Sequence, residues 1–491
     1  MSLYQNLKNI ISSKEPSNEL YSDLRQLAEG YVESNPALAI EHLRIAASLA
    51  WISNTTRKHD KKLDAVLHSI GSSHLSMNTN LDESGSVVII TSGILEFGGL
   101  TQQVENLVKY FPENEKLVVW TTESFSNSNI DSDRGKSISE RAEIKKVDTD
   151  QNHIYGAKEI VNWVENNKVK AFFYFLSPDD TTAFLLPSML PGHKHILINV
   201  SHHVFCLGSF QFDAIVDVSD HYYHESVVEE RSEQLHKIYL SGRGELDDLQ
   251  KIVKNDIRKD LSIPEEAYLT VTVGNPNKSI WDSDQSYIHI IGKMLMESVD
   301  VHHLLIAKGM DKIKDLIVWH YPKVKNRIHV LNGTRDLIPT LKGCDLYLNS
   351  FPMGGALSSL DAIAASLAIV AIPAQREWFK ISEITALSQD EYLSIIKMFV
   401  NDFEFRLEHA ATLQEFYREN HQPIRVAEQY MELLEKVHLG NKEYRVQKGF
   451  QLNGLKRHVD LGKLKRDVVN PYLELGHSDN KTLNRLIKQL S

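Results

Sequence analysis

The sequence predicts an α/β protein that contains two parallel β-sheets, each covered by helices on both faces. Short apolar runs rich in β-branched residues alternate with amphipathic helical patterns, which is typical of buried parallel strands joined by helices. The alternation begins at residues 87–90, stops in a polar connection at 241–260 and begins again at 268–273. Because the same pattern starts twice, we expect two doubly wound domains in tandem.

Both series supply strands and helices in alternation. In the first, the pattern predicts strands at 87–90, 117–120, 171–176, 196–200 and 215–218, helices at 100–111 and 156–165, and a charged helical region at 224–237. In the second, it predicts strands at 268–273, 303–306, 328–331, 346–348 and 369–372, and helices at 287–297, 311–320, 337–341 and 358–365.

Helical patterns flank the two series. Apolar residues recur at helical spacing before residue 71, and a linker rich in Ser, Asn and Gly follows at 71–85. Beyond residue 375 the sequence is mostly helical to about 437. We therefore expect a helical N-terminal region at 1–75, a first Rossmann-like domain at 86–245, a second at 262–400 and C-terminal helices at 401–491.

Composition excludes several classes of protein. The 491 residues are 42% hydrophobic and carry a formal net charge of −11, which indicates a globular chain and argues against a coat for nucleic acid. The two cysteines, Cys206 and Cys344, lie in apolar stretches and favour a reducing compartment. With neither a leader pattern nor a run of about 20 apolar residues, we expect a cytoplasmic protein without a transmembrane segment.

The C-terminal fifty residues are locally basic. Two interpretations stay open: a solvated helical face, or a surface that contacts an acidic partner or an anionic membrane. The basic residues are Lys456, Arg457, Lys463, Lys465 and Arg466.

The loops that follow strands are the candidate ligand loops, because doubly wound domains bind ligands at the carboxyl ends of their strands. In the first domain, Gly98 and Gly99 precede a helix that contains Thr101. Paired glycines there let a ligand approach the backbone amides, although they are equally typical of an ordinary turn. The sequence has no P-loop motif, which disfavours a P-loop nucleotide hydrolase.

In the second domain, the sequence Gly-Asn-Pro-Asn-Lys at 274–278 directly follows a strand. A lysine at that edge can neutralise a diphosphate, and the loop amides add hydrogen-bond donors. We therefore consider Asn277 and Lys278 candidate ligand contacts; the alternative is a turn with a solvated lysine.

The strongest candidate is the loop at 349–361, which turns on a proline and on Gly354 and Gly355 before a helix. Ser358 and Ser359 are the expected first residues of that helix, whose amides would bind phosphate. Asp361 could accept hydrogen bonds from ribose hydroxyls. The alternative is a structural capping box formed by Ser358 and Asp361.

The segment 268–372 resembles the nucleotide-sugar half of a GT-B glycosyltransferase, a fold of two Rossmann domains. Its Phe-Pro-Met-Gly-Gly element at 351–355, with Asp361, most resembles the O-GlcNAc transferase family and the bacterial cytoplasmic N-glycosyltransferases of adhesins. The resemblance implies diphosphate binding by Lys278, Ser358 and nearby amides, and ribose binding by Asp361. It places the base near a loop that contains Asn332, Gly333 and Thr334.

Two departures from that pattern matter. Ala356 and Leu357 stand where the family usually has His or Thr, so some side-chain contacts to phosphate would be missing. Many retaining GT-B enzymes have a glutamate at the position of Met353, and its absence favours inversion.

A fourth loop follows the predicted strand 196–200 and contains His202 and His203. It resembles a histidine-bearing loop on the acceptor side of GT-B enzymes, where an imidazole would accept a proton from an acceptor hydroxyl or contact a sugar phosphate. Adjacent residues of an extended segment face opposite ways, so spacing does not decide between the two; we favour His203. The alternative is a histidine satisfied within the fold.

The 22 histidines show no metal-binding spacing, and a GT-B enzyme can balance diphosphate charge with helix dipoles and cations. We expect no metal and no cofactor beyond the nucleotide-sugar co-substrate.

The sequence thus predicts a GT-B hexosyl- or N-acetylhexosaminyl-transferase that moves a sugar from a UDP-linked donor to a protein or glycan acceptor. Lys278 would stabilise the departing diphosphate and a histidine would assist as base. One alternative is a non-catalytic GT-B-like subunit that binds an acceptor protein and supports another glycosyltransferase. A second is a sugar-nucleotide epimerase.

Overall fold

The structure is a computed structural model with side chains. It describes residues 14–52, 59–76, 81–125, 127–148, 152–200, 205–219, 223, 235–280, 286–333, 337–351, 354–371 and 388–439, and for residues 14–20, 52, 277 and 389 the backbone alone. The chain divides into two compact units. Unit 1 lies within residues 1–218, 222–238 and 427–491, and unit 2 is formed mainly by residues 239–426.

Unit 1 is built on a parallel sheet with strand order β3-β2-β1-β4-β5-β6-β7. Its strands are β1 Ser86–Thr91, β2 Leu117–Thr121, β3 Ala142–Lys146, β4 Val169–Phe175, β5 Lys194–Asn199, β6 Ala214–Asp217 and β7 Leu235–Lys237. The central strands are apolar along their whole length because helices cover both faces of the sheet.

The helices of unit 1 form an N-terminal group of three and a second group between the strands. They are α1 Lys14–Tyr31, α2 Pro36–Ile52, α3 Lys61–Ser72, α4 Gly99–Tyr110, α5 Asp133–Ser139, α6 His153–Glu165 and α7 Thr181–Met189. Residues of α1, α2 and α3 share one hydrophobic core with the sheet, including Leu24, Leu43 and Leu67. The N-terminal helices are therefore an integral layer of unit 1.

Asp64 ties this layer to the segment after β5. Its buried carboxylate accepts hydrogen bonds from the backbone N–H groups of Gly208, at 2.7 Å, and Phe210, at 3.4 Å. Burial raises the pKa of Asp64 from 3.8 to about 7, although the two N–H donors act in the opposite direction.

This shift predicts a pH dependence of stability. The native state keeps a proton on Asp64 that the unfolded state has already lost, so the free energy of unfolding should fall as the pH rises from about 4 to about 7. The slope from this group is about 1.4 kcal/mol per pH unit. Asp64→Asn should remove that slope in urea denaturation curves, whereas Glu33→Gln, at an exposed site in the same layer, should keep it. Equal slopes in wild type and Asp64→Asn would contradict the prediction.

Unit 2 is built on a second parallel sheet, with strand order β10-β9-β8-β11-β12. Its strands are β8 Tyr268–Val273, β9 Val301–Ile306, β10 Ile328–Leu331, β11 Leu346–Leu348 and β12 Ala368–Val370. Helices α8 Leu246–Lys251 and α9 Ile257–Asp260 precede this sheet. The helices between its strands are α10 Asn277–Ile280, α11 Ser286–Glu297, α12 Asp311–His320, α13 Leu337–Leu341 and α14 Ala356–Ala364.

Three helices follow the second sheet: α15 Gln389–Asn401, α16 Phe403–Asn420 and α17 Pro423–Lys436. Tyr392 and Phe399 of α15 are fully buried in the core of unit 2. Residues of α17 from Ala427 onward belong to unit 1, where the Lys194 ammonium donates to the Leu434 carbonyl at 3.2 Å.

The structure confirms the predicted fold class and corrects four elements. Residues 235–237 form β7 and not the end of a charged helix. The sequence pattern missed β3, an edge strand in which three of the five residues are charged. It also missed α7, which is buried on all sides and therefore shows no amphipathic period. Finally, α14 begins at Ala356, two residues before the predicted start. Within the described ranges, no helix has the length and apolar content to cross a bilayer.

Candidate functional site

The candidate site lies at the carboxyl edge of the second sheet. The strand order reverses between β8 and β11, which pair in parallel, and such a topological switch point is where doubly wound sheets bind ligands. Gly274 follows β8, and Asn349 and Ser350 follow β11. A Cβ atom at residue 274 would lie 3.6 Å from the Ser350 Oγ and 3.7 Å from the Lys278 Cδ, so the two loops are in contact.

Lys278 reaches across from the first loop to the second. Its Nζ donates a hydrogen bond to the carbonyl of Gly354 at 3.0 Å. Burial lowers the pKa of Lys278 from its ordinary value of 10.5. The structure therefore brings together the predicted lysine and the predicted glycine turn, which lie 76 residues apart in the sequence.

Helix α14 begins directly after this turn, with Gly355 as the N-cap. The Gly355 N–H donates to the Asn349 Oδ1 at 2.8 Å, which orders the turn. A Cβ atom at residue 355 would lie 2.1 Å from the Ser358 Oγ, so a larger residue would force the Ser358 hydroxyl to move. The first amides of the helix have no intrahelical acceptor, and the helix dipole adds positive potential at this end.

The serine side chains point to partners within the protein. The Tyr347 hydroxyl donates to the Ser358 Oγ at 2.9 Å, and Ser358 in turn donates to the Val273 carbonyl at 3.3 Å. The Ser359 Oγ donates to the Gly355 carbonyl at 2.5 Å. Anion binding at this helix start would therefore rest on backbone amides more than on hydroxyl groups.

Asp361 is paired with an arginine that the sequence did not single out. Arg243 Nε donates to Asp361 Oδ1 at 3.0 Å, and Arg243 Nη2 donates to Asp361 Oδ2 at 2.8 Å. The Asp361 side chain is 3% exposed and that of Arg243 is 31% exposed. Because Gly355 caps α14 and Asp361 pairs with Arg243, the capping box formed by Ser358 and Asp361 is wrong.

The expected base loop follows β10. Asn332 and Gly333 are exposed, and Gly333 has φ +94°, a left-handed conformation that favours glycine. The Gly333 N–H donates to the Leu331 carbonyl at 2.8 Å, which makes a tight turn. Thr334 lies outside the described residues.

In unit 1, the loop after β1, which the sequence predicts to be on the acceptor side, is ordered by its own polar contacts. Arg134 donates to the Gly98 carbonyl at 2.6 Å, and the buried Thr101 Oγ1 accepts from the Leu95 N–H at 2.9 Å. Gly99 is the first residue of α4. The Thr101 hydroxyl thus supports the loop.

The switch point of the first sheet holds a buried carboxylate that the sequence analysis missed. Asp180 caps α7 and accepts hydrogen bonds from the hydroxyls of Ser92 and Thr122, both at 2.5 Å, and from the Ala183 N–H at 3.1 Å. Burial raises its pKa above 3.8. These contacts connect the segments that follow β1, β2 and β4. The role of Asp180 is therefore to support the carboxyl edge of the first sheet. An Asp one residue before a buried helix was the only sequence signal.

Several predicted residues are not described. His202 and His203 lie outside the described residues, as do the basic residues Lys456, Arg457, Lys463, Lys465 and Arg466. Asn277 begins α10, but its side chain is not described. Among the described residues, no three His, Cys, Asp or Glu side chains lie close enough together to hold a metal ion. The absence of a metal requirement stays a prediction.

Two units, each with a parallel sheet of Rossmann strand order, define the GT-B fold, and comparison with solved structures agrees. The chain is similar to an O-GlcNAc transferase of Thermobaculum terrenum, at TM-score 0.54 and 12% identity over 88% of this chain and 85% of that one. It is similar to a glycosyltransferase from Rickettsia africae, at TM-score 0.57 and 11% identity over 72% of this chain and 98% of that one.

A third similar structure is HepE of Anabaena, in complex with UDP and glucose, at TM-score 0.55 and 13% identity over 72% of this chain and 99% of that one. No family model and no curated protein matches the sequence. Identities this low establish the fold alone. The predicted GT-B fold, with helical regions before and after the two Rossmann-like units, is confirmed.

Proposed function

We propose that this protein is a glycosyltransferase that transfers a hexosyl or N-acetylhexosaminyl group from a UDP-linked donor to a protein or glycan acceptor. One observation carries the proposal: at the switch point of the second sheet, Lys278 binds the glycine turn at the start of α14. A cation beside unpartnered helix amides suits a diphosphate. The complex of HepE with UDP and glucose supports the choice of donor.

In this proposal the donor diphosphate binds at the first turn of α14, where the backbone amides of residues 356–358 would donate to it. The Lys278 ammonium would neutralise the charge that develops on the departing diphosphate, which is the main source of catalysis when no metal takes part. The other predicted donor-site residues, Asn277, Gly354, Gly355 and Ser359, belong to the two loops that would surround it. Asn332, Gly333 and Thr334 would flank the base.

The ribose contact, the catalytic base and the acceptor loop are separate parts of the proposal. The sequence predicts a direct ribose contact by Asp361, but both of its oxygens accept hydrogen bonds from Arg243, which supports an indirect role. His203, or its neighbour His202, is proposed as the base that removes the acceptor proton. Gly98, Gly99 and Thr101 are proposed for the acceptor side.

The proposal is tested with the purified full-length chain. Calorimetry should show binding of UDP and weaker binding of ADP, and UDP-glucose or UDP-N-acetylglucosamine should slowly release UDP when water replaces the acceptor. Failure to bind UDP and to hydrolyse either sugar nucleotide would overturn the proposal. Binding without hydrolysis or transfer to any acceptor would instead indicate the non-catalytic subunit.

A further inference from the structure

Arg243 is held in place from two sides by the end of α16. It lies between Gly242 and Gly244, close to the start of the main segment of unit 2. The Gly242 N–H donates to the His421 carbonyl at 2.8 Å, and the Tyr417 hydroxyl donates to the Gly244 carbonyl at 2.7 Å. The backbone on both sides of Arg243 is therefore fixed, and its side chain leaves from a defined point.

The side chain of Arg243 is fixed as well. Its Nε and Nη2 bond both oxygens of Asp361, which is the two-point geometry that holds a guanidinium plane in one orientation. In this pair the carboxylate is almost completely buried, whereas the guanidinium is about one-third exposed. The cation is therefore the more exposed member of the pair.

Arg243 lies beside the proposed donor site. Its anchor, Asp361, is on α14, five residues after Ala356, which corresponds to roughly 7.5 Å along the helix axis at 1.5 Å per residue. Burial raises the pKa of Tyr347 to about 12, and the negative charge of Asp361 contributes to this shift. Tyr347 bonds Ser358 in the first turn. The guanidinium thus stands further along the helix that receives the diphosphate.

We propose that Arg243 binds the phosphate next to the nucleoside of the donor, and that Asp361 is a positioning residue that holds the guanidinium for this contact. The inference rests on the proposed function and adds a second cation to its site. A nucleoside diphosphate carries at least two negative charges, which Lys278 alone does not balance, and a guanidinium matches phosphate geometry. Asp361 then acts through Arg243.

The first experiment measures calorimetric affinities of the full-length chain for UDP, UMP and uridine. Arg243→Gln should weaken UDP and UMP binding about tenfold and change uridine binding less than twofold. Arg243→Lys keeps the positive charge but loses the two-point hydrogen-bonding geometry, so its UDP and UMP affinities should lie between those of wild type and Arg243→Gln. The matched control is Arg418→Gln, which removes one positive charge from a half-exposed arginine of the same unit that pairs with Asp247 and Glu415. It should bind all three ligands like wild type.

The second experiment is a double-mutant cycle with Asp361→Asn. If Asp361 acts through Arg243, the double variant should bind UDP no more weakly than the weaker single variant. Additive losses would show that Asp361 meets the ligand itself and would overturn the inference. Unfolding midpoints of every variant are measured in parallel, and Arg243→Lys is used if Arg243→Gln does not fold.

The remaining outcomes are equally decisive. Unchanged UDP affinity in Arg243→Gln, or an equal loss for uridine, would exclude the phosphate contact. A higher UDP affinity of Arg243→Gln than of wild type would show that Arg243 competes with the ribose for Asp361. This result would also overturn the inference. If wild type itself binds no UDP, it is the proposed function that fails.

Discussion

Replacing Lys278 by methionine is expected to weaken UDP binding about ten- to a hundredfold, since a hydrogen bond to a charged group contributes about 1.5–3 kcal/mol. Lys278 is the side chain that links the loop after β8 to the turn before α14. Methionine preserves most of the side-chain length and removes the charge. Titration calorimetry with UDP measures the change directly.

The control is Lys293→Met, at an exposed position of α11 in the same unit. It removes the same charge at a residue that has no part in the proposed contact, and it should bind UDP like wild type. Equal affinities of wild type and Lys278→Met, with both proteins folded, would remove Lys278 from the donor site.

Because the pKa of Lys278 is lowered, the difference in UDP affinity between wild type and Lys278→Met should depend on pH. Burial favours the neutral amine, so the ammonium is lost at a pH below the ordinary value of 10.5. Phosphate binding needs the charged form, and the advantage of wild type over Lys278→Met should therefore be lost before the pH reaches 10.5. A constant ratio of the two affinities would contradict this assignment.

Gly242→Ala is expected to lower the free energy of unfolding by about 2–4 kcal/mol, from overpacking of about 1–3 kcal/mol and the loss of a hydrogen bond of about 1 kcal/mol. A Cβ atom at residue 242 would lie 2.0 Å from the Tyr417 Oη and 2.4 Å from its Cζ. The Tyr417 ring is fully buried, so it cannot rotate away from the added methyl group. Its hydroxyl would lose the hydrogen bond to the Gly244 carbonyl.

Urea denaturation of full-length protein measures this effect, with Gly274→Ala as the control. A Cβ atom at residue 274 would make only ordinary contacts, the nearest at 3.6 Å, so that variant should stay within about 1 kcal/mol of wild type. Equal free energies of unfolding for Gly242→Ala and Gly274→Ala would contradict the prediction, because they would show that the chain near Tyr417 accommodates the methyl group without a loss of stability.

Much of the fold was predictable because each strand of a buried parallel sheet forms a short apolar run that can be recognised in the local sequence. Strands β8 and β11 and helix α12 begin and end at the predicted residues, since each is bounded by turn residues and has the expected period. The start of α14 was misplaced because Gly355 caps the helix through its backbone, and the serines that resemble a cap lie inside it.

The candidate site was only partly predictable, for a different reason. Lys278 and the glycine turn could be named because both directly follow strands, and the carboxyl ends of parallel strands share one edge. Nothing in the local sequence marked Arg243, a single arginine between two glycines. Its partner, Asp361, is 118 residues away, and no periodicity connects the two.

The sequence by itself determined the two parallel sheets, their order along the chain and the loops that meet at the edge of the second sheet. These follow from local hydrophobic periodicity and from the rule that parallel strands end on one side. The tertiary structure alone decided which side chains pair: that Ser358 bonds Tyr347, and that Asp361 is buried behind Arg243. Such pairs depend on the distances between elements remote in sequence, which exist only once the chain has packed.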